Sequence, residues 1–223
     1  MRWANFANSF WYMDAMAAKA AHGFSVFCRQ DFIGADYGTV ICDPRFFPTP
    51  AVSILLHLLL MMIIFTSTIT FSPCLLGLLD CSTQTPLPDY YLSKIWTELM
   101  GSGVLDAAVL AGPRTIRAYA HCAADDVRDL VVLLLNLDNQ PVDAALVAGS
   151  TANAPRTEWH FTAGSDGLGG TGVRLGGSEL VWASGQPLPS MPGVRRESGH
   201  LVHLEEHSIV FVRLAGSAPV GLC

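Results

Sequence analysis

The hydrophobic periodicity of the chain changes near residue 104, and this change restricts the fold more than any other feature. From there on, apolar residues alternate with polar ones or form short runs, which is typical of β-strands. Turn-forming sequences such as Asp138-Asn139-Gln140-Pro141 separate these runs. Short strands at this spacing predict an all-β sandwich over residues 104–223. The expected strands cover residues 116–122, 130–137, 158–162, 173–175, 179–182, 201–204 and 209–214.

Before that point the periodicity is helical. Phe10, Met13 and Ala17 recur at three- and four-residue spacing, which places them on one face of a helix that ends near Gly23. Residues 89–99 carry a second helical stripe, which starts after a proline and stops at a glycine. Residues 24–28 form a short apolar run that turns polar at its end, as in an αβ unit of a parallel sheet or barrel. The chain is therefore expected to be α+β.

Several motifs occur in an order that resembles a known family. They are Phe-Ala-Asn-Ser-Phe-Trp-Tyr-Met-Asp at residues 6–14, Cys-Arg-Gln at 28–30, Ile-Gly-Ala-Asp-Tyr-Gly at 33–38, Pro-Asp-Tyr-Tyr at 88–91 and Ile-Arg-Ala-Tyr-Ala-His-Cys at 116–122. With these motifs the chain resembles the C-terminal half of plant heparanase-like proteins, which are β-glucuronidases of glycoside hydrolase family 79. The resemblance covers most of the chain apart from one apolar insert.

The resemblance implies a retaining glycosidase with two catalytic glutamates on a (β/α)8 barrel, followed by a β-sandwich. Residues 1–38 and 78–103 would then be the C-terminal part of the barrel. Both glutamates would lie upstream of Met1, so no catalytic residue is expected in this chain and the fragment alone should be inactive. Two alternatives stay open, a carbohydrate-binding β-sandwich without turnover and a membrane-anchored interaction protein.

Substrate-binding residues are also implied by the resemblance. Tyr37 and the backbone of Ala35 would lie at the carboxylate of a bound uronic acid, and Gln30 and Asp36 belong to the same strand-end loop. The family usually has glycine at the position of Ala35 and asparagine at that of Asp36. An added methyl group and an ionised carboxylate would both disfavour an anionic sugar there. The expected partner is an acidic glycan or a glucuronide, and no cofactor is expected.

The apolar insert covers residues 39–77. No charged residue lies between Arg45 and Asp80, and the stretch that begins at Ala51 and ends at Phe71 is long enough to cross a bilayer as a helix. Removing the insert restores the order of the family motifs, and the flanking codons can supply intron boundaries. A retained intron is therefore favoured over a membrane segment, although both interpretations remain open.

The six cysteines show no CxxC pair and no spacing typical of zinc. The resemblance implies a disulfide between Cys122 and Cys223, which would contribute about 4 kcal/mol by the loop-entropy estimate and would suit an oxidising compartment. The family implies a secreted or vacuolar location, although the N-terminus carries no apolar signal region. The acidic and histidine residues around Glu205 and Glu206 are interpreted as a solvated strand edge rather than a metal site.

Charge and glycine content exclude two further classes of function. The net charge is −6 and the basic residues are scattered, so the chain lacks the basic patch expected of a nucleic-acid-binding protein. Residues 164–172 are rich in glycine, but no lysine or helical pattern follows them. They are therefore predicted to form a long hairpin loop rather than a phosphate-binding loop.

Overall fold

The computed structural model describes residues 5–24, 26, 78–80, 83–147, 155–197, 199, 201–219, 221 and 223. In this described part of the chain, two helices precede the strands: α1 spans Phe6–Ala21 and α2 spans Pro88–Leu99. Ten strands follow. They are β1 Met100–Leu105, β2 Ile116–Ala123, β3 Leu130–Asn136, β4 Val142–Ala145, β5 Arg156–Ala163, β6 Val173–Leu175, β7 Ser178–Glu179, β8 Val194–Arg196, β9 Leu201–Leu204 and β10 Ser208–Leu214.

Eight of these strands form one antiparallel sheet, and the other two form a ribbon. The sheet order is β1-β2-β3-β10-β5-β6-β7, and β8 pairs with β5 beside this path. The ribbon consists of β4 and β9, with Val142 opposite Leu204. Within the described residues the fold is thus strand-rich with two helices, in agreement with the predicted mixture of helix and sheet.

The central strands β3 and β10 are buried on both sides of the sheet. Successive side chains of a strand point to opposite faces. Val131, Leu133 and Leu135 of β3 accordingly join a cluster with α1 and α2, which we call the helix-side core. Leu130, Val132 and Leu134 join a second cluster with the ribbon, which we call the ribbon-side core. The unbroken apolar run of β3 therefore serves two separate cores.

Both predicted helices are confirmed, and their caps explain their bounds. The side chain of Asn5 accepts a hydrogen bond from the backbone N–H of Asn8 at 2.9 Å, which caps the start of α1. Just beyond its end, Gly23 has a φ of 84°, a left-handed conformation that favours glycine. Helix α2 begins with Pro88, whose missing N–H costs nothing in the first turn.

Three predicted segments fall outside the described residues, apart from Phe24 and Val26. They are the expected strand at residues 24–28, the strand-end loop and the insert. Strand β1 was not predicted, and it extends across the predicted boundary between residues 103 and 104, where the sandwich was expected to begin. No helix among the described residues is long and apolar enough to cross a membrane. The stretch from Ala51 to Phe71 lies outside them.

Candidate functional site

The predicted substrate-binding residues Gln30, Ala35, Asp36 and Tyr37 lie outside the described residues, so their placement stays a prediction. The structure does describe the helices on either side of them along the chain. These helices carry two of the motifs quoted above. The candidate site is therefore built from the contacts that position α1 and α2.

A buried carboxylate joins the two helices. Asp89, in the first turn of α2, is 4% exposed and accepts a hydrogen bond from the hydroxyl of Ser9 on α1. The side-chain amide of Asn8 donates to the same carboxylate at 3.4 Å. Ser93 donates to the backbone carbonyl of Asp89 at 2.6 Å and also contacts the hydroxyl of Tyr12 at 3.1 Å. The Asn-Ser and Pro-Asp-Tyr-Tyr motifs thus form one helix-pairing contact.

The N-terminus of α1 is held by the glycine-rich segment. The backbone N–H of Phe6 donates to the carbonyl of Gly170 at 2.9 Å, and that of Ala7 donates to Leu168 at 3.0 Å. The carboxylate of Asp166 accepts from the N–H of Thr171 at 2.7 Å and closes this loop. The predicted hairpin at residues 164–172 is confirmed, since it connects β5 to β6. Its carbonyls satisfy N–H groups that a helix leaves free at its start.

A cleft of about 310 Å³ lies between the C-terminal half of α1 and the ends of β1 and β2. Most side chains that line the cleft are small. Ala17 and Ala21 lie on one side of it and Tyr119 on the other. The hydroxyl of Tyr119 donates to Asp14 of α1 at 2.6 Å. Burial and this hydrogen bond raise the pKa of Tyr119, so the phenol stays protonated and continues to donate.

His121 also lines this cleft and is 3% exposed. Its Nδ1 lies 2.7 Å from the carbonyl oxygen of Gly101, and since a carbonyl only accepts, Nδ1 carries the proton. Its Nε2 is buried and has no hydrogen-bond partner among the described residues. The ring of Trp96 packs edge-on against it at 5.2 Å. Burial lowers the pKa of His121, although the hydrogen bond to Gly101 opposes this effect.

On the opposite side of the sheet, a buried ionic cluster surrounds Glu158 on β5. Arg156 donates to one carboxylate oxygen at 2.5 Å, while His160 and Arg196 approach the other at 2.9 and 3.4 Å. Burial by itself would raise the pKa of Glu158. Hydrogen bonds from His160 and Arg156, with the positive charge of Arg156, outweigh burial and lower it to about 2. Glu158 is therefore ionised and fully paired.

The two buried carboxylates of the described residues do not form the pair that a retaining glycosidase requires. Such an enzyme places two carboxyl groups about 5 Å apart. Asp89 and Glu158 are the buried carboxylates of the described residues, and they lie on opposite sides of the sheet in separate hydrogen-bond networks. Glu98 is on the exposed side of α2 and pairs with Lys94. Asp89 and Glu158 therefore do not supply a retaining acid and nucleophile pair.

The expected disulfide is present, and it links β2 to the C-terminal residue. Cys122 and Cys223 are bonded, with their Cα atoms 5.7 Å apart. Near Glu205, His203 forms a hydrogen bond with Asp143 across the ribbon at 2.7 Å. No three histidine, cysteine, aspartate or glutamate side chains gather into a metal-binding group in the described part of the chain.

Sequence reasoning did not predict that Asp89 and Glu158 are buried and hydrogen-bonded. Both were visible as charged residues within otherwise apolar or strand-forming stretches. A carboxylate there indicates a buried, partnered group. The partners of Asp89 are about 80 residues away in the sequence, so no local pattern could have identified them.

Comparison with known proteins gives relatives along nearly the whole chain. It is 26% identical over 218 residues to a baicalin-β-D-glucuronidase from Scutellaria baicalensis, covering 98% of this chain and 34% of that protein. It is 26% identical over 234 residues to heparanase-like protein 3 from Arabidopsis thaliana, covering 94% of this chain and 36% of that protein. Heparanase from Mus musculus is 30% identical over 145 residues, covering 56% and 25%. No family model matches the chain.

The comparison with solved structures found an arabinofuranosidase, with a TM-score of 0.44 and 9% identity, covering 63% of this chain and 32% of that chain. A glycoside hydrolase family 30 endoxylanase from Clostridium papyrosolvens has a TM-score of 0.40 and 13% identity, covering 65% of this chain and 32% of that chain. The chain spans about a third of the length of the two plant relatives named above.

Proposed function

We propose that this chain is part of an enzyme that hydrolyses glycosyl bonds in glucuronic-acid-containing glycans. It is related to the C-terminal part of the plant heparanase-like proteins. The chain supplies the C-terminal part of the barrel and the β-sandwich that packs against the barrel. The two catalytic glutamates are contributed by sequence outside this chain. An extracellular or vacuolar location follows from the same relationship and agrees with the Cys122–Cys223 disulfide.

One observation carries the proposal: the two helical motifs of the resemblance meet in a buried hydrogen bond, between Ser9 and Asp89. A buried carboxylate is costly unless it is fully hydrogen-bonded. The contact therefore has a specific structural purpose, which is to fix α1 against α2. In the proposed barrel, this fixes the two helices that flank the strand-end loop of residues 30–37 along the chain.

The proposed substrate contacts lie in that loop. Tyr37 and the backbone N–H of Ala35 bind the carboxylate of the uronic acid, and Gln30 lines the same strand end. Asp36 opposes binding because its negative charge repels the anion. In the complete enzyme, Asp36→Asn should lower KM for a glucuronide several-fold with little change in kcat, and Asp31→Asn serves as the matched control in the same stretch. Equal effects of both changes would remove Asp36 from the site.

Expression of the complete coding sequence tests the proposed activity. A full-length transcript of the locus is read first, because it supplies the upstream codons and shows whether residues 39–77 are retained. The encoded protein is then assayed on a chromogenic β-glucuronide beside the 223-residue chain. We expect turnover by the complete protein alone. Turnover by the short chain, or none by a folded complete protein with both glutamates, would overturn the proposal.

The membrane-anchored alternative rests on the apolar stretch from Ala51 to Phe71, which has the length of a bilayer-spanning helix. We favour a retained intron because its removal rejoins the family motifs. Cell fractionation distinguishes the two: a true anchor leaves the protein in carbonate-washed membranes, and deletion of residues 39–77 releases it. If transcripts lack the segment and the protein is found in the lumen or medium, the anchor is wrong.

A further inference from the structure

One side of strand β5 is polar along its whole length. Trp159 and Phe161 point into the helix-side core, so the residues that alternate with them point the other way, toward the side that carries the ribbon. The ribbon-side core takes no described residue from β5 or β6. This side of β5 and its neighbours forms what we call the polar strip, whose members are Arg156, Glu158, His160, Thr162, Arg174 and Arg196.

Strand register gives the length of the polar strip. Arg196 of β8 lies opposite Arg156 at one end of β5, and Arg174 of β6 lies opposite Thr162 at the other. The six residue steps from Arg156 to Thr162 correspond to about 20 Å of extended strand. The two ends of the strip, at Arg196 and Arg174, are therefore farther apart than the length of one sugar ring.

The charge of the polar strip is opposite to that of the whole molecule. It holds three arginines and one glutamate, whereas the chain carries a net charge of −6. The glutamate, Glu158, is buried and already bonded to Arg156 and His160. Glu179 of β7 lies opposite Arg174 at the edge of the strip. Its carboxylate accepts a hydrogen bond from the hydroxyl of Ser165 in the hairpin at 3.3 Å. The outward charge of the strip is thus positive.

Two guanidinium groups of the polar strip keep donors for another molecule. The side chain of Arg196 is 54% exposed and approaches Glu158 through Nε, while its two Nη groups have no partner among the described residues. Arg174 is half-buried and makes no ion pair with any described residue. A guanidinium fork matches the geometry of a carboxylate and can bond it through two parallel N–H groups.

We propose that the polar strip binds the carboxylates of an extended uronic-acid-containing glycan. The strip would hold the polymer on the β-sandwich, on the side of the sheet opposite α1 and α2, and so keep the glycan near the enzyme during successive cleavages. This inference rests on the proposed function for the class of ligand, since the chemistry of the strip alone requires only a chain with repeated carboxylates. A single glucuronide is too short to reach both arginines.

Calorimetric titration of the full 223-residue chain with a polyglucuronate, and with a neutral glycan of equal length, tests the polar strip. We expect saturable binding of the polyglucuronate alone, which weakens as salt is added. Arg174→Gln and Arg196→Gln should each weaken binding about 3-fold, and the double variant about 10-fold, as expected for partly exposed charge pairs. Since Arg174 makes no ion pair with a described residue, its variant keeps the test valid if Arg196→Gln does not fold.

The matched control is Arg195→Gln, on the same strand as Arg196 but on its opposite face, where Arg195 pairs with Glu197 at 2.8 Å. It removes the same charge and should leave affinity within about 1.5-fold. The proposed binding would be overturned if Arg195→Gln weakened affinity as much as Arg196→Gln, or if polyglucuronate did not bind. It would also be overturned if a DNA oligonucleotide bound as tightly as polyglucuronate. Hydrolysis of a small glucuronide by the complete protein is measured separately. If hydrolysis occurs without polymer binding, the strip alone fails; if no hydrolysis occurs, the proposed function fails.

Discussion

The two faces of the main sheet are packed in different ways. The helix-side core is built around aromatic rings, including Phe6, Phe161 and Phe211, and its helices are fixed by hydrogen bonds to Asp89 and Asp14. The described ribbon-side core is aliphatic throughout and is covered by only two short strands. Aromatic packing and buried polar contacts depend on one geometry, whereas aliphatic side chains exchange with little loss. The helix-side core therefore specifies the arrangement, and the ribbon-side core supplies mainly burial.

The largest expected effect concerns the disulfide, which closes the ribbon side. Cys122 alternates on β2 with Ile116 and Ala120, so it lies on the ribbon-side face. Its bond to Cys223 spans 101 residues, and Cys223→Ser should lower the free energy of unfolding by about 4 to 5 kcal/mol. Urea denaturation measures the loss. Reduction of the parent should reproduce it and leave the variant unchanged, while a loss below about 1 kcal/mol would contradict the estimate.

Neighbouring leucines on β3 compare the two cores directly. Leu133 is 0% exposed in the helix-side core, and Leu134 is 3% exposed in the ribbon-side core. We expect Leu133→Ala to cost about 4 kcal/mol and Leu134→Ala about 2.5 kcal/mol, because the ribbon can close part of its cavity while the fixed helices cannot. The same urea titration gives both values. Equal losses of unfolding free energy would show that the helices and the ribbon relax into the cavity to the same extent.

The helix-pairing contact can be measured by a double-mutant cycle. Ser9→Ala and Asp89→Asn each disturb a buried hydrogen bond, and each should cost about 1 to 3 kcal/mol. The two should couple by at least about 1 kcal/mol, since they share one contact. Lys94→Ala, which breaks an exposed pair on the same helix, is the control and should cost less than about 0.5 kcal/mol. Additive effects of Ser9 and Asp89 would argue against a shared contact.

The smallest expected effect is a pH dependence that arises in the helix-side cleft. The folded-state pKa of His121 lies below the usual value of 6.5, so its contribution to stability is complete above pH 6.5 and is lost as pH falls through the folded pKa. His121→Asn keeps a donor near the carbonyl of Gly101 but removes the titration. Its unfolding free energy should therefore fall less steeply below pH 6.5 than that of the parent. Parallel curves would exclude His121 as the source.

The sequence predicted the regular elements well where a local pattern decides the structure. The stripes around Met13 and Ile95 gave both helices, and the apolar run from residue 130 gave β3. Strand β1 was missed because Met-Gly-Ser-Gly has little strand propensity, and its pairing with β2 determines its structure. The expected strand at residues 179–182 ends at Glu179, and the indole of Trp182 instead donates to Gln186 in a loop.

The site was less accessible to sequence reasoning. The Cys122–Cys223 bond was expected from the family resemblance and is confirmed, although spacing alone would not have paired these cysteines. The binding roles of Gln30 and Tyr37 came from the same resemblance and remain predictions. Long-range pairs such as Tyr119 with Asp14, 105 residues apart, depend on how the helices lie on the sheet. Local periodicity carries no information about that placement.

The hydrogen bonds between α1 and the hairpin also determine the order of events during synthesis. Phe6 and Ala7 leave the ribosome about 160 residues before Gly170 and Leu168, whose carbonyls receive their N–H groups. The N-terminus of helix α1 therefore lacks these two acceptors until the hairpin at residues 164–172 has been translated. Until the sheet has formed, the part of its apolar face that packs on the strands is exposed to chaperones and to other nascent chains. Slow translation ahead of the hairpin would lengthen this interval and lower the yield of folded protein.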